Sequence, residues 1–310
     1  MTKVIAVIIA RQGSSRLPGK ALKHIQNKPI IGLMIERIKA CKLISEVIIA
    51  TSTNKEDDDL ETYGKSIGTK VFRGHPEDVL DRLYHATKDS SADLIIEIGG
   101  DCPFVGPQLL EIGINHYLKQ KADVVSNALL PPYTAPNGYD FISITPKALY
   151  ETHHNAILKS ERFQPFQYIV RNAKAFTTFS FQLNNNYNYW RWTLDYQEDF
   201  DFVKRVYDEL YPKNPLFEFD EIKSLLDLNP EIAQINAAQH DPIIEYGAWS
   251  TGSYVSEMHD DIAHLLNLAK ASESSKDFES ALKYYEKIQG FNNELIARAQ
   301  SKLGIKNSFL

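Results

Sequence analysis

Short apolar runs separated by amphipathic stretches set the rhythm of the first 126 residues. Residues 4–10, 47–51, 70–73, 94–98 and 124–126 read as strands. Between them, residues 30–40, 57–67, 79–88 and 109–119 have helical spacing or helix-favouring composition. This alternation predicts an α/β fold whose mainly parallel sheet is covered on both faces. Ligands of such sheets bind beyond the carboxyl ends of the strands. The loop after the first strand and Asp101 both fall at those ends, which predicts one shared cleft.

The rhythm breaks over residues 127–190. Pro131-Pro132, Pro136-Asn137-Gly138 and the polar tract at 184–188 are turn-rich, and residues 176–183 read as an extended strand. This excursion is followed by a helix over 198–210, which Pro212 ends. From about Tyr254 the pattern turns helical, with three helices expected at 262–272, 278–289 and 293–303. Ala281, Tyr284 and Tyr285, after Lys276-Asp277-Phe278, resemble the second helix of a tetratricopeptide-type hairpin. Stable arrays need three or more such units. A helical cap is therefore favoured over a partner-binding module. The chain divides at this level into a main domain, residues 1–253, and a helical tail, residues 254–310.

Composition narrows the function. Lys plus Arg is 34 against 40 for Asp plus Glu, a net charge of −6. A general nucleic-acid binder would be basic. Two cysteines, Cys41 and Cys102, predict no disulfide framework and fit a reducing compartment. No apolar run nears the roughly 20 residues that span a bilayer. The start of the chain reads as a strand that runs into a charged loop, not as a signal peptide. A cytoplasmic protein without membrane insertion is expected. The nine histidines read as surface residues, and His153-His154 shows no metal-type spacing.

The positive charge concentrates after the first strand, in Ala10-Arg11-Gln12-Gly13-Ser14-Ser15-Arg16-Leu17-Pro18-Gly19-Lys20. Gly13 and Gly19 let the backbone approach an anion closely, and exposed N–H groups can form a nest for it. Arg11, Arg16 and Lys20 can neutralise phosphate charge. The loop matches neither the Walker nor the dinucleotide-binding glycine pattern. A polar strand-to-helix connection with incidental cations is the plain alternative. Asp101 follows an apolar strand and Gly99-Gly100, where a carboxylate needs a partner or a metal, or else caps a turn. Asp195 ends the run from Trp190 and suits either a metal or a helix N-cap, with Glu198 as capping-box partner. Asp199 suits the helix N-terminus. Arg73, Asp78, Asp81 and Arg82 are explained nearly as well by salt bridges. Cys102 reads as a small packing residue.

The first loop resembles the signature loop of the cytidylyltransferases that activate sugars. That family includes the Kdo and acylneuraminate enzymes and a spore-coat-polysaccharide branch. Further blocks follow in the family's order. They are Val47 to Thr51 with Asn54, Val71 to Gly74, Glu77 to Arg82, Gly100-Asp101-Cys102-Pro103, Asn137-Gly138-Tyr139-Asp140 and Arg191 to Asp195 with Asp199. The resemblance spans roughly residues 3–210. It implies a Rossmann-like nucleotidyltransferase fold with a β-rich excursion and a Mg²⁺-dependent transfer from CTP to a sugar-like acceptor, as in polysaccharide biosynthesis. Ala10, Arg11, Gly13, Ser14, Arg16, Lys20 and Asp101 are then the nucleotide contacts, with Lys20, Arg11 and Asp101 central to catalysis. Asp101 and Asp195 are the implied metal ligands, and Asp140 and Arg191 the implied sugar contacts. The family also implies a homodimer formed through the excursion. The chain departs from the family at Phe163-Gln164-Pro165-Phe166, in the segment that shapes the sugar pocket. Two other readings stay open here. One is a nucleotidyltransferase using another triphosphate or a sugar phosphate. The other is a nucleotide-binding scaffold with a protein partner at the C-terminal helices.

Overall fold

The computed structural model describes residues 2–239 and 252–302. Strand β1 (Val4–Ile9) opens the chain, and a short hairpin, β2 (His24–Ile25) and β3 (Lys28–Pro29), leads into α1 (Ile30–Ala40). The alternation continues through β4 (Glu46–Ser52), α2 (Asp58–Ser66), β5 (Lys70–Gly74), α3 (Val79–Thr87), β6 (Leu94–Gly99), α4 (Pro107–Gln120) and β7 (Val124–Ser126). Each sequence-predicted strand and helix of this region forms, with ends shifted by a residue or two. Pro107 sits in the first turn of α4, where its missing N–H costs nothing.

Seven strands make one sheet in the order β5-β4-β1-β6-β8-β7-β9, where β8 is Ile142–Ile144 and β9 is Thr178–Ser180. β1 pairs in parallel with β4 and β6, and β8 runs antiparallel to both of its neighbours. The excursion therefore feeds two strands into the main sheet. It also carries α5 (Pro146–Asn155), α6 (Lys159–Phe163) and α7 (Phe166–Arg171), which its turn-rich sequence did not predict. α8 (Gln197–Leu210), α9 (Phe219–Leu228) and α10 (Pro230–Ala233) follow.

Alternation along β1 divides the core in two. Val4, Ala6 and Ile8 join residues of α1, α4 and α8 on one face. Ile5 and Val7 join residues of α3, α5 and α7 on the other. All five are at most 1% exposed. Burying each Ile or Val of this strand stabilises the fold by about 1.5–3 kcal/mol.

The chain forms two compact units. One is Met1–Ala156 with Glu161–Trp249, and the other is Ile157–Ser160 with Ser250–Leu310. In the second unit, α11 (Gly252–Ser274) and α12 (Phe278–Lys302) form a hairpin. Leu158 packs there with Leu265 and Ile288, and the Ser160 hydroxyl donates to Asp261. Two long helices thus replace the three expected. Gly290 and the asparagines after it read as a break, but a lone glycine costs a helix only about 1 kcal/mol, and neither proline nor cap stands there to stop it.

Candidate active site

The site begins where β1 and β6 end side by side. Gly100 donates its N–H to the Ile9 carbonyl at 2.8 Å. A Cβ on Gly100 would lie 2.8 Å from that oxygen and 2.8 Å from the Ala10 Cβ. The absence of a side chain there lets Ala10 and Asp101 sit next to each other.

The basic loop folds over its own backbone. The Gln12 carbonyl accepts from Ser14 and Gly19, and the Gln12 N–H donates to Asp57 Oδ1 at 2.6 Å. Asp57 is fully buried and also accepts from the Ser52 N–H and hydroxyl. It ties the loop to the end of β4. Ser14 Oγ accepts from the Leu17 N–H, and Leu17 is buried as the loop's apolar anchor. Gly19 adopts φ 72°, the left-handed region that glycine tolerates, and turns Lys20 inward.

Lys20 is the hub. Its ammonium donates to Asp101 Oδ2 at 3.0 Å, to Asp195 Oδ1 at 3.0 Å and to the Leu194 carbonyl at 2.9 Å. Burial disfavours its charge, but Asp101 and Asp195 outweigh burial and raise its pKa above the usual lysine value. Burial would likewise raise Asp101, yet Lys20 holds its carboxyl below the ordinary range. Arg16 reaches Asp195 from the solvent side at 2.9 Å and lies over the Tyr196 ring.

Backbone pairing delivers Asp195 to this point. Asn137 and Arg191 form a parallel bridge, Trp192 donates to the Asn137 carbonyl, and Leu194 donates to the Asp101 carbonyl. Arg191 is buried, with Nε 2.9 Å from Asp199 Oδ1 and one terminal nitrogen 3.0 Å from Asp199 Oδ2 and 3.3 Å from Asp195 Oδ2. Asp199 also accepts from the N–H groups of Asp195 and Tyr196. The N-cap of α8 is Tyr196 rather than Asp195, and Asp199, not Glu198, reaches back to it. Asp195 is thereby left to face Lys20.

Asp140 stands on the other side of Cys102. The Cys102 thiol lies 3.8 Å from both Asp101 Oδ1 and Asp140 Oδ1. Burial, then Asp140 and Asp101, push that thiol well above its ordinary value, so it is no thiolate nucleophile. Sequence reasoning missed Glu97. It is the lone charge within the apolar run of β6 and pairs across to Ile142. Asp140, two residues before Ile142, shares its face of the sheet. Burial and the charges of Asp140 and Asp101 push Glu97 up to about 8, and burial with Asp101 pushes Asp140 up to about 6. A single carboxylate inside a buried strand was the signal available for Glu97.

Lys20, Asp101, Asp195 and Arg16 are thus brought together, with Asp140 and Glu97 beside them. Arg11 follows Ala10 at the same sheet edge and forms no ion pair among the described residues. Arg82 lies close enough that burial first and then Arg11's charge lower its pKa, and it donates to the His75 and Pro76 carbonyls. Two guanidinium groups near each other make an anion-seeking corner. Arg73 pairs with Asp58 and Glu61, and Asp78 caps α3 and pairs with Arg162. The salt-bridge readings of both are the ones observed.

Residues 5–225 match the family model described as cytidylyltransferase. An uncharacterized protein of Methanocaldococcus jannaschii is 34% identical over 241 residues, covering 76% of this chain and 95% of that one. The spore coat polysaccharide biosynthesis protein SpsF of Bacillus subtilis is 28% identical over 244 residues, covering 75% and 98%. Among solved structures, a cytidylyltransferase from Leptospira borgpetersenii superposes with a TM-score of 0.71 at 28% identity, covering 76% of this chain and 98% of that one. A family match that spans the whole sheet, from the basic loop through Asp195, makes this chain a member of the cytidylyltransferases, a nucleotidyltransferase enzyme by family.

Proposed function

We propose that this enzyme transfers the cytidylyl group of CTP to a hydroxyl of a sugar-like acceptor and releases pyrophosphate, in the making of a surface glycan. The observation that carries this reading is the convergence of Asp101 and Asp195 on the Lys20 ammonium. The acceptor hydroxyl oxygen attacks the α-phosphorus and gives up its proton to solvent as the new O–P bond forms. The bond from that phosphorus to its bridging oxygen breaks, and the electron pair leaves with pyrophosphate. Negative charge grows on the phosphate oxygens, so catalysis depends on positioning and on cations. Lys20, Arg11 and Arg16 supply these cations. Asp101 and Asp195 are the residues that would hold Mg²⁺, since an oxygen-only donor pair suits a hard cation. Bound there, the ion supplies further neutralisation of phosphate charge.

Asp140 and Glu97 form the acceptor wall in this reading. Burial raises Asp140 to about 6 and Glu97 to about 8, and the two carboxyls offer hydrogen-bond partners to an acceptor hydroxyl. Such a wall favours hydroxyl-bearing acceptors. The polysaccharide role of SpsF supports the glycan assignment. We read the enzyme as a homodimer formed through the excursion, which light scattering of the purified chain would test.

The test is pyrophosphate release, with Mg²⁺, across the four ribonucleoside triphosphates and a panel of acidic sugars, amino sugars and sugar phosphates. Release is expected with CTP and one acceptor class. Release with a different triphosphate, or CTP binding without release for any acceptor, would contradict the proposal.

A further inference from the structure

We propose that Asp81, His85 and His153 form a second, independent site that binds one divalent transition-metal ion of the zinc class. Asp81 and His85 lie one turn apart on α3 and project from the same face. His153 arrives from α5, which packs against α3. The three ligand atoms all lie within 4.8 Å of one another. His153 Nε2 is 3.1 Å from Asp81 Oδ1, and His85 Nε2 is 3.4 Å from the same oxygen. Tetrahedral bonds of about 2.0–2.2 Å place neighbouring ligand atoms roughly 3.3–3.6 Å apart, so only small movements would close the set around an ion.

Two imidazoles and one carboxylate select zinc, nickel or copper over magnesium. The surroundings support this use. The His153 ring stacks on Tyr84 with centroids 4.1 Å apart, which fixes its plane. Arg162 is the nearby competitor, 3.9 Å from Asp81 Oδ1, but it pairs with Asp78 at 2.8 Å. The side chains of Asp81, His85 and His153 are 30%, 35% and 16% exposed. The site is therefore reachable from solvent, and one coordination position is open to water. An ion here would cross-link α3 to α5. The sequence hid this arrangement because its ligands come from two helices that meet only in the fold.

The experiment is a calorimetric titration of Zn²⁺ into the full chain, with excess Mg²⁺ to occupy hard oxygen sites, beside melting curves with and without Zn²⁺. One ion per chain is expected, with a zinc-dependent rise in Tm. His85→Ala and His153→Ala should each weaken binding by at least about tenfold and abolish that rise. The neighbouring His154→Ala should bind as the native chain does. His85 is partly exposed, so its variant should melt normally without zinc, which separates lost ligation from lost fold. Zinc affinity unchanged in His85→Ala, or no zinc-dependent rise in the native chain, overturns the proposal.

Discussion

Lys20 places its three donors on Asp101, Leu194 and Asp195, and that sets what its loss does to stability. In Lys20→Met, Asp101 loses its counter-charge, while Asp195 keeps Arg16 and Arg191. Asp101 is about a third exposed, which tempers the penalty. A loss of about 2 kcal/mol at neutral pH is expected by urea unfolding. Its sign against pH is specific. Without Lys20 the Asp101 pKa rises, so the variant should recover stability as pH falls and that carboxyl protonates. Glu97 gives a second test. Its folded value, about 8, lies above its ordinary 4.5, so the folded state holds the proton more tightly. Its favourable contribution is full below about pH 4.5 and is lost as pH rises through about 8. Glu97→Gln removes this dependence. Its Tm relative to the native chain should therefore climb steadily from pH 5 to pH 8, and a flat difference would contradict the assignment. That the basic loop and Asp101 meet at one end of the sheet was legible in sequence, because each follows a buried strand. Arg191 was singled out as a sugar contact, but its pairing with Asp199 was not legible, since Asp199 comes from the first turn of the next helix and only the fold shows them paired.

At the scale of elements, the segment from Arg191 to Asp195 depends on Gly138. Gly138 has φ 88°, and a Cβ there would lie 2.5 Å from the Thr193 backbone nitrogen. Because that neighbour is backbone, it cannot swing aside. Gly138→Ala should cost about 2 kcal/mol or more in urea unfolding, from the strained φ and the contact together. It should also reduce turnover, because it pushes Asp195 away from Lys20. Turnover and stability near native levels would show that this bridge does not position Asp195. The strands of the parallel half were readable because strands buried on both faces appear as continuous apolar runs. β9 falls within residues 176–183, which the sequence marks as extended, whereas β8 has three residues, too short to show a period; the place of both in the sheet follows from pairing with β6 and β7. The shift of the α8 cap from Asp195 to Tyr196 has a similar origin. Either of two adjacent acids, Glu198 or Asp199, can close a capping box, and Arg191 and Asn236 hold Asp199 in the position that does.

For the whole molecule, all the residues assigned to the transfer reaction lie in the larger compact unit. Removing residues 250–310 should therefore leave CTP-dependent turnover in place. It should also strip Leu158 of Leu265 and Ile288, and Ser160 of Asp261. Limited proteolysis should then cut near residues 157–160 faster than in the full chain. Loss of turnover on truncation would assign the helical unit a part in the reaction. The helical character of this unit was legible from its composition. The number of helices was not, because one glycine does not end a helix. No helix among the described residues is long and apolar enough to cross a membrane. Whether the basic loop and the two carboxylates act as one nucleotidyl-transfer centre is decided by one comparison. Pyrophosphate release from CTP is measured for the native chain, Lys20→Ala and Asp101→Ala at saturating acceptor, with circular dichroism confirming that each variant is folded. Both variants should lose at least about a hundredfold in rate. Native rates in both folded variants would contradict it.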